Sequence, residues 1–154
     1  MRTTTQESLS SSDARDAILS RHDELRGLVS ETIHCAESAT QSDRELEPLR
    51  AHARELYEAF QEHMDFEEEL LATALRDVIG VGDILQAQMY EGHVKQRATL
   101  AAAISALEPG SLSRVRVVES VRAFVDTLLR ELTSEERCLL YADLDAIATD
   151  SQGG

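Results

Sequence analysis

Residues 49–74 read LRAHARELYEAFQEHMDFEEELLATA, and one set of positions recurs there at alternating steps of four and three. The recurring positions are Leu49, Ala53, Leu56, Phe60, His63, Glu67, Leu70 and Ala74. Sustained over about four heptads, this is the a/d pattern of helices that pack side by side. The stretch therefore predicts a long helix that packs against other helices, with a histidine and a carboxylate on its inner face.

The composition of the whole chain favours helices throughout. Among 154 residues there are seven glycines, two prolines, no tryptophan, three tyrosines and three phenylalanines. Ala, Leu, Glu and Arg dominate instead, and these good helix formers face few competing β-branched runs. A chain of this length can bury one substantial core. We therefore expect a single all-α domain.

Three further segments carry helical stripes of the same kind. The first stripe is Ile18, His22, Leu25, Val29 and Ile33. The third is Met89, His93, Leu100, Ile104 and Leu107, and the fourth is Val117, Val121, Phe124, Leu128, Glu131, Glu135, Cys138 and Ala142. For the start of the second helix, a capping box at Ser42 competes with Pro48, and we favour Pro48 because proline suits the first helical position.

Four helices of about 25 to 35 residues with short connections predict an antiparallel up-down-up-down four-helix bundle. We place this bundle at residues 13–147. The Ser/Thr/Gln-rich segment 1–12 is expected to be a disordered N-terminal tail, and 148–154 a frayed C-terminal tail.

Net charge and hydropathy exclude several classes of function. A formal charge of −14 argues against nucleic acid as a partner, because phosphate binding needs a basic surface. No apolar run approaches the roughly 20 residues that cross a bilayer, and the N-terminus lacks the apolar stretch of a signal peptide. The two cysteines match no CxxC pattern. We therefore expect a cytoplasmic protein without a membrane or nucleic-acid partner.

Six positions on the helical stripes are polar, although their neighbours on the stripes are apolar. They are His22, His63, Glu67, His93, Glu131 and Glu135. A carboxylate is almost never fully buried unless it is paired or bound to a metal ion. Taken singly, a histidine on an apolar face is more often a hydrogen-bonded core residue, and a glutamate in the run 67–69 can face solvent. Six such residues on four stripes favour a metal site instead.

Simple geometry allows these six residues to meet. With a rise of roughly 1.5 Å per residue, their positions along antiparallel helices fall near one level, and a four-residue step spans about 6 Å. Side chains separated in this way can converge on a pair of metal ions. Three carboxylates and a bridging hydroxide would carry about −4 and neutralise two divalent ions, whereas without metal the carboxylates would have to take up protons. Iron, zinc and manganese all suit imidazole and carboxylate ligands.

At these residues the chain resembles the hemerythrin-like family, also called HHE cation-binding domains. The resemblance lies in LSRHDELR, HMDFEEELL, EGHVKQR and RELTSEERCLLY, and it extends over nearly all of residues 13–147. The family pattern is a lone His, then HxxxE, then a His that is often HxxxH, then HxxxE or HxxxxD. The resemblance implies a four-helix bundle that encloses two iron ions with an oxo or hydroxo bridge, a centre that binds dioxygen in the carrier members.

Carried over position by position, the resemblance implies three terminal ligands, His22, His63 and His93. It also implies Glu67 as one bridging carboxylate and Glu135 as the second, with Glu136 as the alternative under the longer spacing. Two positions depart from the family pattern. Glu131 stands where the fourth helix usually supplies a histidine, and Arg97 stands where many members have a second histidine in the third helix.

These departures fall on one half of the implied site, which then has fewer nitrogen donors. An anionic ligand favours ferric iron, so the resemblance implies reaction with peroxide or nitric oxide, or sensing, more than reversible dioxygen carriage. Alternatively, Arg97 could pair with Glu131 and leave a weakened or single metal site. A catalase- or peroxidase-like activity is compatible with the pattern, but no separate general acid or base is identifiable.

The leading hypothesis is a hemerythrin-like di-iron protein whose ligand is a small diatomic molecule or peroxide. One rival is a non-enzymatic iron or oxygen sensor that acts through a protein partner, which the sequence does not identify. The other is a structural bundle with a degenerate metal site. A ferritin-like site is disfavoured, because it uses Glu-x-x-His spacing, whereas His63 and Glu67 are four apart.

Overall fold

Four long helices make up most of the computed structural model, which describes residues 11–74, 81–107, 110 and 112–141. They are α1 (Ser11–Ala39), α2 (Leu46–Ala74), α3 (Val81–Ser105) and α4 (Arg114–Tyr141). A 3-10 turn at Asp43–Glu45 connects α1 to α2. The described ranges contain no strand, so the all-α prediction is confirmed. The tail predicted at 148–154 lies outside the described residues, as does most of the one predicted at 1–12, although α1 already begins at Ser11.

The helices form a bundle in which α1 and α3 each pack between α2 and α4. Contacts at both ends of α2 and α3 define their relative direction. The Arg50 Nε donates to the carbonyl oxygen of Leu107 at 3.1 Å, near the start of α2 and just past the end of α3. The Gln86 side chain donates to the carbonyl oxygen of Ala72 at 3.4 Å, near the opposite ends of the two helices. These contacts are those of helices that run in opposite directions.

The pair α1 and α4 shows the same relation. Arg114, the first residue of α4, forms an ion pair of 3.3 Å with Asp43 in the turn that follows α1. Near the other end of α4, Glu136 pairs with Arg26, close to the middle of α1. In both pairs, α2 with α3 and α1 with α4, the two helices therefore run in opposite directions. The predicted four-helix bundle is confirmed.

The core consists mainly of aliphatic side chains, with two phenylalanines near the middle. Phe60 of α2 and Phe124 of α4 are the largest fully or almost fully buried side chains, and Met64 and Leu128 are fully buried near them in sequence. Along α2, every predicted inner position from Leu49 to Glu67 is buried. The heptad pattern of α2 therefore identified its inner face correctly as far as Glu67, whereas Leu70 is only partly buried and the side chain of Ala74 lies outside the described part of the structure.

The start of α2 differs from the position that Pro48 predicted. The helix begins two residues earlier, at Leu46, so that Pro48 lies inside its first turn. Proline is tolerated there because the first N–H groups of a helix have no acceptor within the helix. The rejected cap at Ser42 does form, but it caps the 3-10 turn, where the Ser42 hydroxyl oxygen accepts a hydrogen bond from the Arg44 N–H at 3.3 Å.

The buried face of α4 departs from the predicted stripe in the second half of the helix. Val121 and Leu128 are buried as predicted, but the next buried residue is Leu132, whereas Glu131 is only partly buried. An α-helix has about 3.6 residues per turn, so a strict heptad stripe drifts by about 20° per heptad. The inner face therefore moves on from position 131 to position 132.

The outer surface of the described helices carries few large apolar side chains. Those that are exposed are Ile84, Tyr90, Val94 and Val115. Within the described ranges, none of the helices combines the length and the apolar character that a bilayer crossing requires.

Candidate metal centre

All four helices contribute to one cluster of polar side chains in the interior. α1 supplies His22, α2 supplies His63 and Glu67, α3 supplies His93 and α4 supplies Glu135. The three imidazoles and Glu67 are at most 4% exposed, and the Glu135 side chain is 13% exposed. The four-residue step between His63 and Glu67 places both on one face of α2. The bundle thus buries three imidazoles and two carboxylates together.

The inner contacts are made by Nε2 atoms and carboxylate oxygens. The Nε2 atoms of His22 and His63 are 3.1 Å apart. The His22 Nε2 lies 2.9 Å from Glu135 Oε2, and the His63 Nε2 lies 3.1 Å from Glu67 Oε2. One ligand atom from each of these four residues lies within 4.8 Å of the others, as the donors of a metal site do.

His93 approaches the same two carboxylates from the side of α3. Its Nε2 lies 3.5 Å from Glu135 Oε1 and 3.9 Å from Glu67 Oε2. Both carboxylates therefore have imidazoles of different helices as neighbours, with His93 on one side and the His22–His63 pair on the other.

Crowding of charged groups shifts several pKa values. Burial alone would lower the pKa of His63, but the carboxylates of Glu135 and Glu67 outweigh it and raise this pKa to about 9. The pKa of His93 is raised by its carboxylate neighbours against the same effect of burial. Burial raises the pKa of Glu67. Burial acts in the same direction on Glu135, yet its three histidine neighbours lower the pKa of that carboxyl far below its usual range.

Within the described residues, several buried atoms of the cluster have no hydrogen-bond partner. They are Glu67 Oε2, Glu135 Oε1 and His63 Nδ1. A buried carboxylate oxygen without a donor costs about 1 to 3 kcal/mol or more, and a cation bound between the carboxylates would satisfy both oxygens. Imidazole nitrogen and carboxylate oxygen are ligands that first-row transition metals accept. The residues present therefore fit a bound metal.

Behind His22, a glutamate and an arginine form an outer pair. The His22 Nδ1 lies 3.0 Å from Glu136 Oε1. The Arg26 guanidinium contacts both oxygens of Glu136, one of them at 2.9 Å. This guanidinium holds the pKa of Glu136 below its usual range. Glu135 therefore faces the inner cluster, and Glu136 lies on the outer side of His22. The position of Glu136 does not favour the alternative in which it replaces Glu135 as the second bridging carboxylate.

A second outer pair lies behind His93. The His93 Nδ1 lies 2.9 Å from Glu68 Oε1, and the Arg97 guanidinium donates to the same oxygen at 2.8 Å. Arg97 also donates to Asp65 Oδ1 at 2.7 Å. Burial would raise the pKa of Glu68, but Arg97 and His93 outweigh it and lower the pKa. The alternative in which Arg97 pairs with Glu131 is wrong, because Glu68 and Asp65 hold the guanidinium.

Comparison with protein-family models decides the family. The model described as the hemerythrin HHE cation-binding domain matches residues 13–140. The chain belongs to the hemerythrin family. No curated protein and no solved structure matched in the corresponding comparisons. The resemblance inferred from the four motifs is thus confirmed, and the match spans the histidines and carboxylates described above.

Glu131 stands apart from the other predicted residues of this hemerythrin-family site. Its carboxylate accepts a hydrogen bond of 2.6 Å from the Gln96 side chain of α3. Gln96 lies three residues after His93, and Glu131 lies four before Glu135, so this contact is one helical turn from the inner cluster. The structure brings five of the six predicted residues together, and a ligand role for Glu131 stays a prediction.

The roles of the outer residues Glu68, Arg26 and Gln96 were not predictable from spacing along the chain. Glu68 is one of three consecutive glutamates, and helical periodicity does not tell which neighbour of an inward residue turns toward a histidine. A signal was nevertheless present. Arg26 follows His22 by four residues, and Arg97 follows His93 by the same step.

Proposed function

We propose that the protein is a non-haem di-iron protein that binds or reacts with dioxygen, peroxide or nitric oxide. The observation that carries this proposal is the convergence of the Nε2 atoms of His22, His63 and His93 on two buried carboxylates. Without metal, the cluster would have to hold protons in the interior, and one oxygen each of Glu67 and Glu135 makes no hydrogen bond within the described residues. Membership of a cation-binding family supports the same conclusion.

The five residues of the inner cluster could hold two ions. His22 and His63 would hold one ion and His93 the other, while Glu67 and Glu135 would bridge them. A pair of iron ions, when bound, supplies the redox chemistry for small oxidants. Zinc or manganese is compatible with the same donors, so metal analysis has to decide.

The surroundings of the site support the proposal of a small ligand. His22 and His63 are fully or nearly fully buried, and the ring of Phe60 packs edge-on against His63 with centroids 5.9 Å apart. Phe60 and Met64 leave no exposed surface of their own. These apolar side chains exclude bulk water, which strengthens electrostatic interactions at the site. A diatomic molecule or peroxide fits such surroundings better than a large organic substrate.

The two halves of the proposed site are unequal. Two imidazoles belong to the His22–His63 half, whereas the other half has His93 alone. Arg97 is held outside by Glu68 and Asp65, and Glu131 is held by Gln96. The His93 half thus has fewer donors, which would leave an ion bound there more open to an exogenous ligand. This inequality favours reaction with peroxide or nitric oxide over reversible dioxygen carriage.

Metal analysis combined with an absorption spectrum tests the proposal. We expect protein purified from iron-supplemented cells to contain about two irons per chain and to show ligand-to-iron charge-transfer bands that change on addition of peroxide or nitric oxide. The His63→Ala variant should lose the bands. His34→Ala removes an exposed histidine of α1 and should keep them. A colourless wild-type protein without metal and with unchanged thermal stability after iron treatment would refute the proposal.

A further inference from the structure

The two outer pairs repeat each other in both sequence and space. In α1 and α3 an arginine follows the inner histidine by four residues, as Arg26 follows His22 and Arg97 follows His93. In α2 and α4 the outer glutamate comes directly after the inner one, as Glu68 follows Glu67 and Glu136 follows Glu135. The repetition extends to the contacts, since each outer glutamate lies between a histidine Nδ1 and a guanidinium.

We propose that the Glu136–Arg26 and Glu68–Arg97 pairs are positioning residues, each fixing one histidine so that its Nε2 faces the metal pair. This inference rests on the proposed function, because it assigns the pairs a role toward bound metal. It adds four residues of this chain to the five that converge inside, and it gives each half of the site its own outer pair.

Hydrogen-bond chemistry fixes the orientation of the two rings. Glu136 and Glu68 each pair with a guanidinium and are therefore ionised, so their oxygens only accept hydrogen bonds. The Nδ1 atoms of His22 and His93, at 3.0 and 2.9 Å, must then carry the hydrogen and donate it. Each Nε2 is left with a free lone pair on the inner side. A carboxylate in this position also makes the imidazole a stronger donor to a metal.

The arginines hold the two carboxylates in place. Arg26 contacts both oxygens of Glu136, and Arg97 contacts both oxygens of Glu68 at 2.8 and 3.3 Å. Such two-point contact fixes the plane of a carboxylate, which a lysine cannot do. Arg97 further contacts Asp65 at the surface. Many members of the family have a histidine at the position of Arg97. In this chain Arg97 instead acts as an outer positioning residue.

Among the described residues, no outer pair contacts the third inner histidine, so the inference applies to His22 and His93 and not to His63. The Nδ1 of His63 is buried without a hydrogen-bond partner. The outer pairs therefore act on His22 and on His93, one histidine in each half of the site. Removing one outer carboxylate should weaken one metal site and leave the other unchanged.

Cobalt(II) titration of the full chain, followed by visible absorption, separates the two binding steps. We expect Glu136→Gln to weaken one step by about 10- to 100-fold and Glu68→Gln to weaken the other by a similar factor. Glutamine keeps the shape of the side chain, so the bundle should still fold. Glu69→Gln and Glu119→Gln remove the same charge from exposed positions of α2 and α4, and they should leave both steps unchanged.

A second measurement reads the histidine orientation directly. In the zinc-loaded protein, nitrogen NMR should show His22 and His93 protonated at Nδ1, and each signal should shift only in the variant that removes its own glutamate. Weakening of both steps together by either variant, or behaviour equal to that of the exposed controls, would overturn the inference. Wild-type protein that binds neither cobalt nor zinc would refute the proposed function as well, and the two failures are thereby distinguished.

Discussion

At the residue scale, the three inner histidines are not equivalent. His22 and His93 each have Nδ1 against an outer carboxylate, at 3.0 and 2.9 Å, whereas the Nδ1 of His63 has no partner. His63 instead has the most crowded Nε2, with His22, Glu67 and Glu135 all within 3.5 Å. Orientation of His63 therefore depends on the inner groups themselves, and that of the other two depends on residues outside the cluster.

Glu131 and Glu135 lie one turn apart on α4, and we expect them to differ in importance for metal binding. Glu135 contacts all three histidines, while Glu131 contacts Gln96. Glu135→Gln should lower metal affinity by about tenfold or more, because it removes charge from the centre of the cluster. Glu131→Gln should leave the affinity nearly unchanged, because an amide can still bond to Gln96.

Competition titration with a chromophoric zinc chelator gives both affinities in the same assay. A loss of affinity in Glu131→Gln as large as that in Glu135→Gln would show that Glu131 turns inward and binds metal. Gln96→Leu serves as the companion variant, since it frees the Glu131 carboxylate without changing the charge of the chain.

Spacing along single helices was enough to predict the inner residues, and it was not enough for the outer ones. His63 and Glu67 stand on a stripe whose other members are apolar, which makes their inward direction visible in the sequence. Glu68 and Glu136 stand beside the stripes, where most glutamates face solvent. Their contacts with His93 and His22 depend on the distance and the relative rotation of neighbouring helices. The sequence of a single helix does not specify that distance or that rotation.

At the scale of the helices, the heptad pattern predicted α2 better than α4. In α2, every position of the pattern from Leu49 to Glu67 is buried. In α4 the buried face moves to Leu132, because 3.6 residues per turn accumulate a rotation that a strict heptad ignores. Helix ends were similarly less predictable, since Pro48 is compatible with several positions in a first turn. Sequence periodicity thus identified each helix, and packing determined its final rotation.

The rotation of α4 predicts different stabilities for two neighbouring substitutions. Leu132 is fully buried, so Leu132→Ala should lower the free energy of unfolding by about 2 to 5 kcal/mol through loss of buried area and the cavity that remains. Glu131→Ala should cost only about 1 kcal/mol, because it removes one partly exposed hydrogen bond. Urea unfolding of metal-free protein measures both values.

Leu129→Ala is the matched control for the leucine substitution, because Leu129 is only partly buried on the same helix. It should destabilise the protein less than Leu132→Ala does. Equal costs for Leu132→Ala and Leu129→Ala would contradict the rotation of α4 described above.

At the scale of the whole molecule, a chain with a formal charge of −14 concentrates its buried histidines and two carboxylates in one place. The surrounding core is mainly apolar, and the outer pairs contact only the Nδ1 atoms of His22 and His93. Folding therefore brings together groups that have to be neutralised, either by protons or by metal ions. Proton uptake and metal binding should then compete, and metal affinity should increase as pH rises through the range in which the histidines lose protons.

The stability of metal-free protein should accordingly fall as pH rises from about 6.5 to about 9. The pKa of His63 is raised from 6.5 to about 9 in the folded chain, so the folded state binds more protons than the unfolded state between these values. Below pH 6.5 such a group makes its full contribution to the stability of the folded state, and this contribution is lost as the pH rises through 9. The part of this fall that is due to His63 should not exceed about 3 kcal/mol, and the raised pKa of His93 adds to the fall in the same direction. The lowered pKa of Glu135 acts in the opposite direction, but only in acid.

Urea unfolding at several pH values, with chelator present, measures this dependence. His63→Gln should remove most of the slope, whereas His34→Gln, at an exposed position of α1, should keep it. The iron-loaded protein should show no such fall, because metal-bound imidazoles carry no proton at the ligating nitrogen. An unfolding free energy of metal-free wild-type protein that is equal at pH 6.5 and pH 9 would contradict the coupling between His63 and its carboxylates. A slope that metal binding leaves unchanged would show instead that the metal does not replace the protons at this cluster.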